Sequence, residues 1–214
     1  MRLPKTGFTL VEMLVSVAVI GLLAVIVVVG MGSGKRTEEL RGAARQLAGD
    51  IRSMQARALA AGDVKACPNT LGILTICDDS TVACVDPADC AARIPSSFGV
   101  NASSTDTSYT LFAEVEPSTV DYHLTQPNEV LLNRQLLQGT GQNVIIKSVL
   151  TGKPAPLVPK TGGDVSFTRQ NGTTRLYDGS GVEPDIMIFR LWHKMSSSTM
   201  DVEINRITGR VSVL

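Results

Sequence analysis

Apolar and polar residues are unevenly distributed along this chain. From Phe8 to Met31 the sequence is almost continuously apolar, with Glu12 as its one charge and Thr9 and Ser16 as its hydroxyls. Wound as a helix, the run spans roughly 36 Å, enough to cross a hydrocarbon core of about 30 Å. Arg2 and Lys5 precede it and predict a cytoplasmic N-terminus. Gly30, Gly32, Ser33 and Gly34 weaken helix at the end of the run. The pattern then changes. Leu40, Ala44, Leu47, Ile51, Met54 and Ala58 recur at spacings of three and four, which predicts an amphipathic helix over 35–61 with one apolar stripe. Arg36, Arg41, Arg45, Arg52 and Arg57 lie mostly off that stripe, on a solvated face, and Gly62 is a C-terminal stop.

Beyond residue 62 the periodicity shortens. Leu71–Ile76, Tyr109–Val115, Val144–Leu150, Asp185–Trp192, Met200–Ile204 and Arg210–Leu214 read as strands, separated by polar or Pro/Gly-rich stretches at Ser96–Ser108, Gln138–Gln142 and Thr151–Asp164. Val165–Gln170, Asn171-Gly172 and Thr173–Tyr177 read as a hairpin in which Phe167 faces Leu176. The expected fold is α+β: a long N-terminal helix, transmembrane in its first half (8–31) and amphipathic in its second (35–61), packed on a β-rich head over 62–214.

Composition narrows the functional classes. The 214 residues include 43% hydrophobic and 19% charged positions, enough apolar material for one core plus an appendage. Lys plus Arg equals Asp plus Glu at 20 each, and aromatics are 4%. Neither bulk electrostatics nor base stacking therefore points to nucleic acid. His123 and His193 stand alone, and no H-E-x-x-H, G-x-S-x-G or phosphate loop occurs, so no enzyme, cofactor or metal is expected. Cys67, Cys77, Cys84 and Cys90 form an even, closely spaced set that predicts two disulfides. Three connectivities are open, Cys67–Cys77 with Cys84–Cys90 being the local one. The interleaved Asp78, Asp79, Asp86 and Asp89 lack the spacing of a calcium loop.

Glu12 distinguishes three readings of the N-terminus. A secretory signal would have a shorter apolar region and a small-residue cleavage site. A plain anchor leaves the carboxylate unexplained, because such a group is costly inside lipid. The third reading supplies a partner. Residues Gly7-Phe8-Thr9-Leu10-Val11-Glu12 resemble the type IV prepilin motif, G-F-T-L-x-E. The resemblance implies a leader at 1–7 that prepilin peptidase cuts after Gly7, N-methylation of Phe8, and assembly through Glu12, which faces the free amine of a neighbouring subunit. Buried charges that are each costly alone are tolerable as a pair. Loss of Arg2 and Lys5 would leave 18 basic against 20 acidic residues, a net charge of −2.

Leu47–Ala60 is similar to the helix end of GspH/FimT-type minor pseudopilins, and Ile204–Val213, with Thr208-Gly209-Arg210-Val211, to their final hairpin. This resemblance implies a structural subunit of a type IV pilus or type II secretion pseudopilus. Its partners would be prepilin peptidase/methyltransferase, other pilin or pseudopilin subunits and the cytoplasmic membrane. The head would lie outside the cytoplasm. The alternatives are a surface adhesin or major pilin, or a minor pilin that captures DNA through Arg206 and Arg210. Ser212 stands where the DNA-associated G-R-x-R pattern has its second arginine.

Overall fold

The structure is a computed structural model. It describes residues 9–70, 73–77, 84–115, 124, 130–136, 143–152, 156–169, 171–180 and 183–214, without the side chains of 27–33 and Pro87. Gly7, Phe8, Leu71, Asp78, Asp79, His123 and the stretch Gln138–Gln142 lie outside the described residues. The chain divides into two compact units, Met1–Glu38 and Glu39–Leu214.

Helix α1 runs unbroken over Leu10–Leu59. The expected loosening at residues 30–34 does not occur. Each glycine costs only about 1 kcal/mol in a helix, and propagation from helical neighbours on both sides is favourable once a nucleus exists. In the first unit the apolar side chains from Leu10 to Ile26 are exposed. Among the described residues no helix is long and apolar enough to cross a membrane. The positions that complete the apolar run in sequence fall among the side chains outside the described set.

In the second unit the predicted stripe is the buried one: Leu40, Ala44, Leu47, Ile51, Met54 and Ala58 are each at most 2% exposed. The helix closes with paired turns, Gly62 N–H to Arg57 O at 2.9 Å and Ala61 N–H to Ala58 O at 3.3 Å. The left-handed residue is Ala61 (φ 50°), so the expected stop at Gly62 falls one position earlier.

Among the described residues the strands form three antiparallel sheets. The smallest contains β1 (Val64–Pro68), β2 (Leu74–Ile76) and β3 (Ala91–Arg93), in the order β2-β1-β3. The second contains β4 (Ser97–Ser103), β5 (Ser108–Glu114), β6 (Val130–Gln135), β9 (Gly162–Thr168) and β10 (Thr174–Tyr177), in the order β10-β9-β4-β5-β6. The third contains β7 (Val144–Gly152), β8 (Val158–Lys160), β11 (Ile186–His193), β12 (Thr199–Asn205) and β13 (Val211–Val213), in the order β13-β12-β11-β7-β8. The chain passes from the third sheet to the second through Thr161 alone. The β4–β5 turn also reaches across: Thr105 N–H donates to Ile146 O at 2.6 Å and Ile146 N–H to Asp106 O at 2.9 Å. The helix stripe and the inner faces of both five-stranded sheets share one core, including Phe98, Phe167, Leu176, Met187 and Phe189.

Three expectations need correction. Ser96–Ser108 is not a linker but holds β4, a central strand. Its Phe98, Val100 and Ala102 alternate inward between polar or small residues, and Gly99 is a glycine because the Phe112 ring and the Val165 carbonyl occupy the space of a side chain there. Thr151–Asp164 likewise contains β8 and the start of β9. The Asn171-Gly172 hairpin forms, but Phe167 pairs with Thr174 and Leu176 with Val165. Its turn is longer than two residues. Thr168 N–H bonds Thr173 O at 3.1 Å, and Gly172 (φ 59°) donates to Thr168 O at 3.0 Å. The pairing moves by two residues, so every side chain keeps its face, and Phe167 and Leu176 are both fully buried. In β7 a bulge at Lys147, opposite Arg190/Leu191, shifts the buried phase from Val144 and Ile146 to Val149 and Thr151.

Ala61→Gly removes the strain of an alanine in the left-handed region and is expected to raise stability by roughly 0.5–1 kcal/mol. Gly99→Ala forces a methyl group into the Phe112 ring and is expected to lower it by about 1–3 kcal/mol. Urea unfolding followed by Trp192 fluorescence measures both.

Candidate functional site

The start of α1 is a reciprocal cap. Thr9 Oγ1 accepts from Glu12 N–H at 3.3 Å, and Glu12 Oε2 accepts from Thr9 N–H at 2.9 Å and Thr9 O–H at 3.0 Å. Thr9-Leu10-Val11-Glu12 is thus a capping box, with the glutamate at the third helical position, close to the positive end of the helix dipole. The carboxylate that lacks a partner in sequence has one within its own first turn. The T-x-x-E spacing is a legible signal of this pairing. Exposed apolar side chains begin within the box at Leu10 and Val11 and continue beyond it at Met13 and Leu14.

The second unit holds its part of the helix by polar contacts as well as by the stripe. Asp50 accepts from the Tyr109 hydroxyl at 2.5 Å and pairs with Arg134 at 3.1 Å. Gln46 donates to the same hydroxyl at 3.1 Å and to Gln135 O at 2.8 Å. Burial, and next the neighbouring Asp50 carboxylate, push the Tyr109 hydroxyl above its ordinary pKa, so it acts as a neutral donor. On the other sheet Arg52 donates to Val211 O at 2.7 Å and Gln55 to Gly209 O at 3.4 Å, which docks the Thr208-Gly209-Arg210-Val211 hairpin against the helix. Gly209 itself has φ 65°, and a side chain there would crowd Gln55 and Thr174. His193, expected at a packing or surface position, is fully buried with Nε2 3.0 Å from Glu39 Oε2, and its Nδ1 accepts from Ser196 N–H at 3.3 Å. These long-range pairs have no sequence signature, since Glu39 and His193 are 154 positions apart along the chain.

The cysteines pair as Cys67–Cys84 and Cys77–Cys90, not by the local connectivity. The ladder explains this. Cys67 lies opposite Thr75, and Cys77 N–H extends the β1–β2 pairing by donating to Lys65 O at 2.9 Å. Cys67 and Cys77 are therefore diagonal neighbours, typically about 7–8 Å apart, beyond the roughly 4.4–6.8 Å between α-carbons that a disulfide spans. Asp89 ends a 3₁₀ turn (Pro87–Asp89), and Asp86, just before it, accepts from Ala88 N–H at 2.8 Å.

The cationic candidates at the C-terminal end are largely engaged within the head. Arg206 pairs with Asp185 at 2.6 Å and with Glu183 at 3.6 Å. Arg190 forms two hydrogen bonds to Asp201, at 2.8 and 2.7 Å, which raise its pKa further. Arg210 Nε donates to Ser212 Oγ at 2.7 Å. A cleft of about 200 Å³ beside β7 and β8 contains Thr151, Lys160, Asp178, Ser180 and Glu183. Asp178 is the centre of its polar wall. It accepts from the Thr151 hydroxyl at 2.6 Å and Ser180 N–H at 2.9 Å and pairs with Lys160 at 3.3 Å. Burial pushes its carboxyl up, but the bonds from Ser180, Thr151 and Lys160 outweigh that and hold it at about 2. The cleft is a structural clasp whose charges are matched.

The prokaryotic N-terminal methylation motif matches residues 2–28. This supports a type IV pilin-like protein, processed by prepilin peptidase and assembling with other pilins. The matched segment contains Gly7, Phe8, Thr9 and Glu12 and ends within the apolar run. No curated protein and no solved structure matches the chain.

The depressed Asp178 carboxyl sets a pH dependence. Its contribution to stability is complete above the ordinary value near 3.8 and is lost as pH falls toward about 2. The difference corresponds to roughly 2 kcal/mol. Asp178→Asn is expected to flatten the acid limb of stability against pH by that amount between about pH 4 and 2, as read by urea midpoints at successive pH values.

Proposed function

We propose that this chain is a minor structural subunit of a type IV pilus or type II secretion pseudopilus, of the GspH/FimT kind. In this reading prepilin peptidase cuts after Gly7, Phe8 is N-methylated, and the apolar part of α1 sits first in the cytoplasmic membrane and then in the filament core. The head, 62–214, lies outside the cytoplasm.

The observation that carries the proposal is the coupling of a methylation motif to a helix with two different faces. Over Leu10–Ile26 the apolar side chains have no cover, whereas from Leu40 onward one stripe is fully buried. A contiguous apolar surface of that extent requires lipid or neighbouring subunits. Glu12 stands at the start of that surface. Its capping bonds to Thr9 satisfy the carboxylate in a single chain, and an arriving amine from another copy would add an ion pair to an acceptor that is already oriented. The Thr208-Gly209-Arg210-Val211 hairpin docked on Arg52 and Gln55 supports the GspH/FimT assignment, because it joins the two segments on which that resemblance rests. With Arg206 committed to Asp185 and Glu183, no observation favours the DNA-capturing alternative.

The mature protein extracted from cells with an active prepilin peptidase is expected to begin at N-methylated Phe8, as read by mass spectrometry of its N-terminal peptide. A chain still beginning at Met1 would reduce the reading to a tethered ectodomain. Glu12→Ala is expected to leave cleavage at Gly7 intact while abolishing recovery of the subunit in sheared filaments. Undiminished recovery would remove the pairing from the account.

A further inference from the structure

The register of the small sheet brings more than two sulfurs together. Cys67, on β1, is fully buried, and Cys77 shares its face one diagonal step along the β1–β2 ladder. Each is bonded away from the ladder, Cys67 to Cys84 and Cys77 to Cys90, so the two bonds lie side by side. The sulfurs of Cys67, Cys77 and Cys84 are all within 4.8 Å of one another.

We propose that Cys77 is the nucleophile of an internal thiol–disulfide exchange that transfers Cys84 from Cys67 to Cys77 when the Cys77–Cys90 bond is opened. The opening is a two-electron reduction. A dithiol reductant is oxidised to its disulfide and Cys77 and Cys90 become thiols. The Cys77 thiolate then attacks Cys84 Sγ. The Cys77–Cys84 bond forms, the Cys67–Cys84 bond breaks, and its electron pair leaves on Cys67, which takes up a proton. This second step changes no net oxidation state.

The direction of attack follows from the backbone. Attack on the other sulfur would create a Cys67–Cys77 bond across the diagonal, where α-carbons typically lie about 7–8 Å apart, beyond the usual span of a disulfide. Attack on Cys84 avoids that constraint, since Cys84 lies off the ladder. The leaving sulfur has a prepared destination. Cys67 sits in the core, where a neutral thiol behaves as a small hydrophobe. The Thr75 carbonyl oxygen is 3.8 Å from Cys67 Sγ, an acceptor for the S–H that the exchange produces. One reduction would then leave Cys84 still crosslinked, to Cys77, while freeing both Cys90 and the buried Cys67. The attachment point on the sheet would move from β1 to the end of β2.

The full-length Cys90→Ser protein in detergent tests this directly. It is held at neutral pH, quenched in acid, alkylated under denaturing conditions and mapped by mass spectrometry. More than half of the molecules are expected to carry the free thiol on Cys67 with a Cys77–Cys84 bond. Below the thiol pKa the approach to that distribution should speed up about tenfold per pH unit, because the thiolate is the attacking species. A thiol confined to Cys77, with Cys67–Cys84 intact, overturns the proposal. If Cys90→Ser does not fold, wild-type protein treated with limiting dithiothreitol serves instead. Partly reduced molecules should expose thiols on Cys67 and Cys90, and thiols on Cys77 and Cys90 would overturn the exchange.

Discussion

Burial of a single helical stripe, Leu40 to Ala58, against the inner faces of two five-stranded sheets is the interaction on which the head depends. Full burial of each Leu, Ile or Met side chain contributes about 1.5–3 kcal/mol relative to exposure. Neither sheet has another helix among the described residues to cover it. The stripe does not act alone. Asp50 with Tyr109 and Arg134 fixes the helix to the second sheet, and Arg52 with Val211 and Glu39 with His193 fix it to the third. Apolar burial supplies the attraction, and these directional bonds supply the register.

The same helix carries a second, opposite constraint. Its apolar residues from Leu10 to Ile26 are exposed, and hydrophobic surface of that kind is stable only against other apolar groups. The Thr9–Glu12 cap reconciles a carboxylate with such surroundings. The glutamate accepts the Thr9 N–H while Thr9 accepts the Glu12 N–H, and the carboxylate lies beside the positive helix end, where a negative charge is least costly. The proposed pairing with a neighbour's amine would exploit the same orientation.

The head shows how small residues decide strand placement. A stretch rich in serine, asparagine and glycine reads as a linker, yet Ser97–Ser103 is the central strand of its sheet. Its polar side chains alternate with Phe98, Val100 and Ala102, and the Phe112 ring fills the place that Gly99 leaves empty. The Lys147 bulge has a comparable effect. One extra residue changes which side of β7 faces the core, and a strict period of two does not anticipate that. The disulfides follow the same logic, because the local pairing is excluded only once β1 and β2 are seen to place Cys67 and Cys77 diagonally.

Features that depend on near neighbours along the chain were legible in the residues alone. The apolar run and the methylation motif are read from residue order alone, while the helical stripe and the strands Tyr109–Val115, Val144–Leu150 and Asp185–Trp192 follow from local periodicity, and there the structure places α1, β5, β7 and β11. Tertiary structure decided what depends on residues far apart: the exact register of the hairpin, the identity of β4, the disulfide partners, the Glu39–His193 and Asp50–Tyr109 bonds, and the clasp around Asp178. Side-chain period reports which face is buried, but hydrogen-bond partners and pairing register are set by the packing of distant segments. That packing has no local imprint on composition.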